Sequence, residues 1–429
     1  MDFDQLLLPS VIDNGTHMIK AGFGGDDSPR AVFPTVVGRS RTPRFMVGME
    51  QKDSYVGDEA LSKCGILRYN YPIENGIVLN WDDVEKIWHH TFYNELRVSP
   101  EEHPVLLTES IFNPKANREK TTEIMFETFN TPAMYLVSDQ LLSLHASGRQ
   151  TGAVVKMGHY GCSCCNIIDD KIDQSTRASF KIGGDGLTNL LKDLLQAKGY
   201  NFTTTAEKEI LRDMVEKMCY VCEDFDKEIN KLSELNSSIK KEYELPDGQT
   251  VYLDQERFLT TELFFKTKEE ILKLTKYKKE TIELIIKEKP LKKTKKKEKE
   301  KEKENINENI NENINEKVKE YPSLPEMLFE SIRNCSTGIK TDLYENIVIT
   351  GGSSMFQGIK ERMASELSSF WAESPPTIKI IAPEERKYLA WIGGSIMTSL
   401  STMKNKWMTK DEYDEIGPTF INVKCNHFL

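Results

Sequence analysis

Three short glycine-containing turns carry the residue types that could bind a phosphate group. They read D-N-G-T-H at 13–17, K-M-G-H-Y-G at 156–161 and G-G-S-S-M-F at 351–356. A residue without a Cβ lets backbone N–H groups approach a phosphate closely, and a helix N-terminus behind such a turn adds further donors. Asp13 and Lys20 add a carboxylate and an ammonium to the first turn. A D-N-G triplet alone is typical of a β-turn without a ligand, so the surrounding sequence has to decide.

Cysteines beside the second turn suggest a different possibility, a metal-binding site. Cys162, Cys164 and Cys165 lie close to His159, and a C-x-x-C pair follows at 219–222. Zinc needs four nitrogen or sulfur ligands in a closed tetrahedron. On a strand, Cys162 and Cys164 point to one face and Cys165 to the other. Small buried thiols are the commoner outcome of such a pattern, so we do not expect a zinc site.

The elements around these turns repeat a strand–turn–strand pattern. Residues 6–23 predict two strands around the first turn, and residues 153–168 predict a second hairpin around the next. Between them, the apolar run at 105–109 is typical of a buried parallel strand and is followed by a helical pattern at 117–129. A helix is also predicted over 355–367, behind the third turn. Two such halves predict two α/β domains around a central cleft.

The composition narrows the class of protein. The chain has 429 residues, 38% hydrophobic and 29% charged, which suits a globular protein of two domains. Its net charge of −10 argues against a surface that binds nucleic acid directly. No apolar run approaches the roughly 20 residues that a membrane helix needs, so membrane insertion is not expected. The eight cysteines show no secreted spacing framework, which favours reduced thiols and a cytoplasmic location.

One segment, 266–320, has a different composition from the rest. It runs through a Lys/Glu tract into an E-N-I-N repeat, which is typical of disorder because too little apolar surface can be buried. Its first part, to about residue 288, has the apolar spacing of an amphipathic helix. The low-complexity composition favours a solvated spacer, and a docking tail for a partner is the alternative.

Long blocks of the chain resemble actin. Residues 81–135 match almost letter for letter, and further matching blocks keep the same order along the chain. These blocks are 13–34, 46–60, 71–83, 199–213, 243–249, 349–363 and 380–403. The resemblance implies an α/β, two-domain actin/Hsp70/sugar-kinase-like (ribonuclease H-like) fold with a central nucleotide cleft.

The same resemblance implies domain boundaries. They are an outer domain base (1–34, 72–146 and 389–429), an outer small subdomain with a loop that reaches a neighbouring subunit (35–71), an inner domain base (147–182 and 321–388), an inner small subdomain (183–265) and the insertion (266–320).

An adenine nucleotide, ATP or ADP, is the ligand that the resemblance implies for the cleft. Asp13 would hold a hydrated Mg²⁺ and Lys20 would reach the phosphates. The second glycine usual in the first turn is His17 here, which brings bulk to the phosphate position. The implied nucleotide-binding residues are Asp13, Gly15, Thr16, Lys20, Gly158, Arg212, Glu216, Gly351, Gly352, Ser353, Met355, Phe356 and Lys387.

The chain departs from the actin pattern at the positions that would bind the metal ion and position the attacking water. Lys156 stands where actins carry the first aspartate of the second turn, and His159 or Tyr160 stands for the second aspartate. Lys156 repels a metal ion, although it could instead bind phosphate directly as a point charge. Asp139 takes the place of the glutamine that positions the attacking water, and Gln140 is one residue out of register. We therefore expect a degenerate catalytic set, Asp139, Lys156 and His159, with Mg²⁺ binding in doubt and ATP hydrolysis lost.

The matching surface favours recognition over catalysis. Apolar members of 81–135 are expected in the core, whereas its charged members are not explained by packing. These charged residues are Arg97, Glu101, Glu102, Lys115 and Arg118. The groove that actins use for partners is matched in part by His145, Met397, Leu400, Thr402 and Lys406. His145 and Lys406 replace a tyrosine and an apolar residue, which weakens a groove for amphipathic helices.

We interpret the sequence as an actin-like cytoskeletal or scaffold protein that recognises partners without ATP turnover. The expected partners are actin or actin-related subunits and actin-binding proteins, and the expected location is the cytoplasm and its cytoskeleton. Two alternatives stay open: a filament ATPase with a rearranged site, and an actin-related subunit of a nuclear chromatin complex. Self-polymerisation is not expected, because the charged insertion and Lys406 oppose close packing of subunits.

Overall fold

A computed structural model of the protein describes residues 8–40, 52–63, 65–231, 239–274, 322–371 and 375–429. The strands are β1 (Ser10–Asn14), β2 (Met18–Phe23), β3 (Ala31–Pro34), β4 (Val37–Ser40), β5 (Tyr55–Val56), β6 (Leu67–Asn70), β7 (Ile73–Glu74), β8 (Ile77–Val78), β9 (Val105–Glu109), β10 (Ala133–Ser138), β11 (Gly152–Met157), β12 (Cys162–Ile168), β13 (Lys171–Ile172), β14 (Ala178–Phe180), β15 (Lys241–Glu244), β16 (Thr250–Leu253), β17 (Ile347–Thr350), β18 (Ile380–Ile381) and β19 (Met408–Thr409).

The α-helices are α1 (Gly57–Ser62), α2 (Trp81–His89), α3 (Lys115–Glu123), α4 (Asp139–Ala146), α5 (Gly184–Ala197), α6 (Thr205–Met218), α7 (Phe225–Lys231), α8 (Glu256–Leu259), α9 (Lys268–Leu274), α10 (Leu324–Arg333), α11 (Lys340–Glu345), α12 (Ile359–Ser369), α13 (Leu389–Ser399), α14 (Lys410–Ile416) and α15 (Ile421–Lys424). Helices α2 and α3 continue as short π-helical segments, His90–Leu96 and Ile124–Thr128.

Two mixed sheets form the body of the molecule. The outer sheet has the strand order β19-β10-β9-β1-β2-β3, in which β9 lies parallel to both β1 and β10. The inner sheet has the order β13-β12-β11-β17-β18, with β14 also paired to β12, and β11 lies parallel to β17. Each sheet contains one of the predicted strand–turn–strand hairpins, β1–β2 and β11–β12. The predicted buried parallel strand at 105–109 is confirmed as β9, whose five residues are all buried.

Helices α4 and α13 pack together between the two sheets. Leu142 on α4 and Trp391 on α13 belong to one large core, which also takes Val154 and Cys165 from the inner sheet. The helix backbones meet closely, because a Cβ built on Gly393 would lie 2.0 Å from the Leu142 carbonyl oxygen. This contact fixes the position of α4, and with it the helix N-terminus at the cleft.

The hairpin β11–β12 separates two cores by strand alternation. Val154 and Cys165 face the core between the sheets, whereas Cys162 and Cys164 pack into a second core. The predicted division of the three cysteines between two faces is therefore confirmed. Burial raises the pKa of Cys164 to about 12, which keeps it a neutral thiol. Among the described residues, no three potential metal-ligating side chains lie together.

Smaller sheets stand outside this body. Strands β5-β4-β6 form a three-stranded sheet whose own core contains Val36, Ala60 and Leu67. Strands β7–β8 and β15–β16 form two-stranded sheets. These units lie within the predicted outer and inner small-subdomain regions or beside them, and the domain boundaries themselves stay a prediction.

The predicted start of the helix at 355–367 is wrong. The helix predicted over 355–367 is α12 and begins only at Ile359. Gly358 before it has φ +85°, and its backbone passes so close to the Val221 carbonyl oxygen that a Cβ would lie 2.1 Å away. A turn of this kind cannot continue a right-handed helix. The third glycine turn consequently forms a short 3₁₀ segment, Gly352–Ser354, with the helix N-terminus further along the chain.

Arg118 was expected on the surface and is instead buried, with 5% of its surface exposed. Its guanidinium contacts Glu109 at 3.1 Å and donates to the Cys425 carbonyl oxygen at 2.6 Å. The side chain thus connects β9 to the C-terminal segment. The sequence does not reveal this connection, because its partners Glu109 and Cys425 lie far apart in the chain. Arg97, Glu101, Glu102 and Lys115 are exposed as expected.

The beginning of the predicted insertion is ordered. Helix α9 lies inside the range 266–320, and Ile271 is fully buried in the inner core. This confirms, for Lys268–Leu274, the amphipathic helix predicted for the first part of the insertion, because the apolar side chain of Ile271 packs into the core. The expectation of disorder concerns the Lys/Glu tract and the E-N-I-N repeat, which lie outside the described residues. Residues 41–49, in the outer small subdomain that was expected to reach a neighbouring subunit, also lie outside them. In the part of the chain that is described, no helix combines the length and apolar character needed to cross a membrane.

The contact between α4 and α13 predicts a sensitive position. Gly393→Ala should lower the free energy of unfolding by about 1–3 kcal/mol or more, because the new methyl group overlaps a backbone carbonyl and the helices have to separate. Urea denaturation followed by circular dichroism measures this change. Gly338→Ala is the control, since nothing lies within 4 Å of a Cβ there, and it should stay within about 0.5 kcal/mol of the natural protein. Equal stability of the two variants would contradict the packing described here.

Candidate functional site

Polar side chains collect where parallel strands of both sheets end. Asp13 lies near the end of β1, Thr108 near the end of β9, and Asp139 directly after β10. From the inner sheet, Lys156 and Thr350 are paired across β11 and β17 near the same edge. Ligands of open α/β sheets bind outside the carboxyl ends of the strands, so this edge is the candidate site.

Asp13 is fully engaged with the protein. The β1–β2 register places Lys20 opposite Asp13, and the Lys20 Nζ lies 2.6 Å from Asp13 Oδ2. The Thr108 hydroxyl donates to Asp13 Oδ1 at 2.7 Å. Burial alone would raise the pKa of Asp13, but the Lys20 ammonium beside it holds that pKa below its usual value. Both carboxylate oxygens of Asp13 therefore already have partners.

Asp139 and Lys156 form an ion pair between the two sheets. Asp139 is the first residue of α4, and its Oδ2 bonds the Nζ of Lys156 on β11. The Lys156 side chain is 28% exposed, whereas the Asp139 side chain is buried. Burial acts to lower the pKa of Lys156, but the carboxylates of Asp139 and Asp13 raise it above its usual value. The two residues that depart most from the actin pattern are thus each other's partner.

Gln140 is bound inside the protein and does not face the edge of the sheets. Its amide nitrogen donates to the Ser163 hydroxyl at 2.7 Å, and its amide oxygen accepts from the Cys165 thiol at 2.6 Å. The side chain has no exposed surface. This placement agrees with the predicted register offset, which turns Gln140 away from Asp139 by about 100° around the helix.

Two imidazole rings fill the space between the first and second glycine turns. The ring centroids of His17 and His159 are 4.3 Å apart, with 26° between the planes, and the Tyr71 ring stacks on His17 with its centroid 6.4 Å away. Both ring nitrogens of His17 are buried, and no described residue hydrogen-bonds to either. The stack lies where the resemblance places the phosphates.

Both histidines are held in the neutral form. Burial, followed by the charge of Arg212, lowers the pKa of His17 to about 2. Burial also lowers the pKa of His159 to about 4, with Arg212 and Lys208 acting in the same direction and Asp185 opposing them. A charged imidazole at His17 would have neither water nor an acceptor at its ring nitrogens, so its protonation has to disturb the stack.

The glycine turns are bonded to one another. Gly158 donates its N–H to the Gly161 carbonyl oxygen at 2.9 Å, and its own carbonyl oxygen accepts from the Ser353 hydroxyl at 2.9 Å. Gly351 has φ +99°, and a Cβ there would lie 2.4 Å from the Met157 carbonyl oxygen. A Cβ on Gly15 would lie 2.2 Å from the Met18 carbonyl oxygen. These glycines are required by close backbone approach within the protein itself.

The remaining residues that were predicted to bind the nucleotide lie away from the charged pairs and the imidazole stack. Arg212 on α6 is bonded to Glu209 and lies 3.9 Å from Glu216, whose side chain is 69% exposed. Lys387 and Met355 are exposed, and Gly352 lies at the surface of the third turn. Phe356 is buried against Phe264 in the inner core, with ring centroids 6.5 Å apart. The structure brings predicted site residues together in pairs: Asp13 with Lys20, Asp139 with Lys156, Gly158 with Ser353, and His17 with His159. Gly15 and Thr16 instead bond Thr35 and Gly76.

Sequence reasoning missed four residues of this site. Thr108 bonds Asp13, while Ser143 on α4 lies 3.2 Å from the Thr350 hydroxyl. A polar residue at the end of an otherwise apolar parallel strand was the available signal for Thr108 and Thr350. Tyr71 carried no comparable signal, because its stacking on His17 depends on how the small outer sheet sits over the cleft.

A magnesium ion does not fit the residues present. Mg²⁺ needs carboxylate or water oxygens in a near-octahedral shell. Asp13 and Asp139 each face an ammonium group, Lys20 and Lys156, so no carboxylate charge is left uncompensated between them. The gap between the first two turns is filled by His17 and His159. Binding of ATP or ADP here stays a prediction, and we derive no reaction step through either group.

The predicted partner groove has mixed character. Met397 on α13 is buried, whereas Leu400 is 54% exposed and Lys406 is exposed nearby in the chain. Thr402 is also exposed. His145 does not open into a free groove, because its Nε2 lies 2.9 Å from Asp170 Oδ1. That these residues bind a partner stays a prediction.

The imidazole stack predicts a pH dependence of stability. In the unfolded chain the histidines bind protons below about pH 6.5, whereas folded His159 binds one only near pH 4. The unfolded state therefore takes up more protons in this window, and the free energy of unfolding falls as the pH is lowered, by about 3 kcal/mol from His159 at pH 4. Urea denaturation between pH 4 and pH 7.5 measures it.

His159→Phe is the variant that isolates this effect, since it keeps a ring for the stack and removes the titrating group. Its stability should fall less steeply between pH 6.5 and pH 4 than that of the natural protein. His89→Phe, at an exposed position, is the control and should keep the natural slope. If His159→Phe also keeps the natural slope, His159 is not the buried neutral base described here.

Comparison with known protein families agrees with the architecture. The family model described as Actin matches residues 8–426, nearly the whole chain. The match includes both sheets, the edge at which their parallel strands end, and the insertion between α9 and α10. With the two-sheet body and the cleft already described, this match shows that the chain belongs to the actin family.

Proposed function

We propose that this protein is an actin-like cytoskeletal scaffold that works by protein–protein recognition and does not turn over ATP. The observation that carries the proposal is the ion pair of Lys156 with Asp139. These are the positions at which the actin pattern requires a metal-attracting carboxylate and a group that positions water. An ammonium bonded to a carboxylate can do neither, because each charge is compensated by the other.

The charges around the cleft support the same proposal. Besides Asp13–Lys20 and Asp139–Lys156, the cations Lys208 and Arg212 are bonded to Asp185 and Glu209. A polyphosphate would have to compete with these acids for each cation. Charged groups taken from such a pair are costly to leave unpaired, so an internally neutralised cleft favours its own contacts.

An ATPase with a rearranged site would use Lys156 and His159 in new roles. Lys156 would have to leave Asp139 to face a phosphate, which strands a buried carboxylate. His159 has a pKa of about 4, so it is a weak base at neutral pH, and its ring is stacked on His17. These contacts count against the alternative.

The proposed recognition surface is the charged part of the outer domain. Arg97, Glu101, Glu102 and Lys115 are exposed on the segment that keeps the actin sequence most closely. Arg97 has φ +58°, a left-handed conformation that ends the helical segment His90–Leu96. The partners we propose are actin or actin-related subunits and actin-binding proteins, in the cytoplasm and its cytoskeleton. Self-polymerisation is not proposed, because Lys406 is exposed beside the partner groove.

Absence of turnover is directly measurable. The full-length protein incubated with ATP and Mg²⁺ should release phosphate no faster than a blank without protein, because the metal and water positions are occupied by the Asp139–Lys156 pair. A sensitive phosphate-release assay over several hours measures this rate. Release that EDTA and Asp13→Asn both abolish would overturn the proposal, since it would show metal-dependent hydrolysis in this cleft.

Recognition is tested with purified actin as the probe, by sedimentation velocity in one buffer that supplies the actin with ATP and Mg²⁺. The two proteins should sediment together as a complex. Reversing two charges together, Glu101→Lys with Glu102→Lys, should weaken it roughly tenfold, because charged groups at an interface steer and orient the partner. The matched control reverses Asp414 and Glu415, an adjacent exposed pair on α14. No binding of actin, or equal loss in both double variants, would contradict the proposed surface.

A further inference from the structure

Lys156 stands between two carboxylates that come from different parts of the fold. It is bonded to Asp139 at the start of α4, and the charges of Lys156 and Asp13 also act on each other. Asp13 lies on the outer sheet and Lys156 on the inner sheet. Asp139, directly after β10, also belongs to the outer half, so the Lys156 ammonium brings a positive charge from the inner sheet to two acidic groups of the outer half that would otherwise repel each other.

The charges of this cluster balance only because of Lys156. Asp13 and Asp139 contribute two negative charges, and Lys20 and Lys156 contribute two positive charges. Removing the ammonium would leave Asp139 buried without a counterion, and its Oδ1 already has no hydrogen-bond partner among the described residues. An aspartate at position 156 would instead place three carboxylates beside one ammonium, an excess of two negative charges that suits a divalent cation.

We propose that Lys156 is a built-in counterion of the cleft, so that the two domains stay joined there without a divalent cation. The ammonium supplies the positive charge between Asp13 and Asp139, and the backbone of β11 fixes its position. The inference rests on the proposed function, because a cleft that cycled ATP would need the metal. It goes further in assigning a stabilising role to Lys156 and in making the folded state independent of Mg²⁺.

The test is thermal unfolding of the full-length protein in EDTA, in Mg²⁺ and in Ca²⁺, at equal ionic strength. The melting temperature of the natural protein should agree within about 1 °C in all three. Lys156→Asp should melt lower in EDTA, and a millimolar divalent cation should raise its melting temperature by about 3 °C or more, because an ion that binds only the folded state stabilises it. Lys156→Arg, which keeps the cation, should show no response to the metal.

Lys360→Asp is the control for the charge change, since Lys360 is exposed on α12, and it should gain no metal response. A natural protein that loses several degrees in EDTA would overturn the proposal, and so would a folded Lys156→Asp variant that ignores both cations. If Lys156→Asp does not fold, Lys156→Asn takes its place: it should show a smaller rise of the same sign, and no rise contradicts the inference.

These outcomes separate the inference from the proposed function. Melting temperatures are measured without ATP, so phosphate release does not enter them. A protein that hydrolyses ATP yet melts identically with and without EDTA would contradict the proposed function and leave the built-in counterion standing. A protein that releases no phosphate but depends on Mg²⁺ to stay folded would contradict the built-in counterion and leave the proposed function standing.

Discussion

The close packing of α4 on α13 between the two sheets is the constraint on which the cleft depends. With Gly393 pressed against the Leu142 carbonyl, the helices have almost no freedom to slide. Because α4 follows directly from β10, this contact also sets where Asp139 lies relative to β11. The Asp139–Lys156 pair, and with it the charge balance of the site, follows from that backbone geometry. A protein interior packed this tightly transmits a change in one helix to the other.

Several residues that depart from the actin pattern, and that each look like the loss of a functional group in the sequence, contact one another in the fold. Lys156 alone would repel a metal ion and Asp139 alone would be a buried unpaired charge, yet together their charges compensate each other. His17 alone would block a phosphate turn, but in the fold it stacks on His159 from the opposite turn. The pairing is chemical in both cases: opposite charges meet, and flat neutral rings meet. The site is therefore rebuilt around new contacts, and the glycine turns are retained because the backbones approach one another closely.

Much of the architecture was predictable, and for identifiable reasons. The run at 105–109 is uniformly apolar, so burial on both faces indicated a parallel strand, and the alternation of Cys162, Cys164 and Cys165 indicated which core each would enter. The partners of Lys156, His17 and Arg118 were not predictable, because each contact joins residues distant in the chain. The start of α12 was missed for a local reason, since the left-handed turn at Gly358 depends on a neighbouring carbonyl that the sequence does not reveal.

The stacked rings of His17 and His159 have a consequence for how such a protein could be controlled. A cleft filled by a small metabolite changes its content with the supply of that metabolite, so the protein reports on the metabolic state of the cell. If the rings of His17 and His159 take the place of that ligand, as the proposed function implies, the sequence itself fixes what the cleft contains. Its shape would then be the same in a starved cell and in a growing one. Control would have to come from elsewhere, through how much of the protein is made and which partners are present.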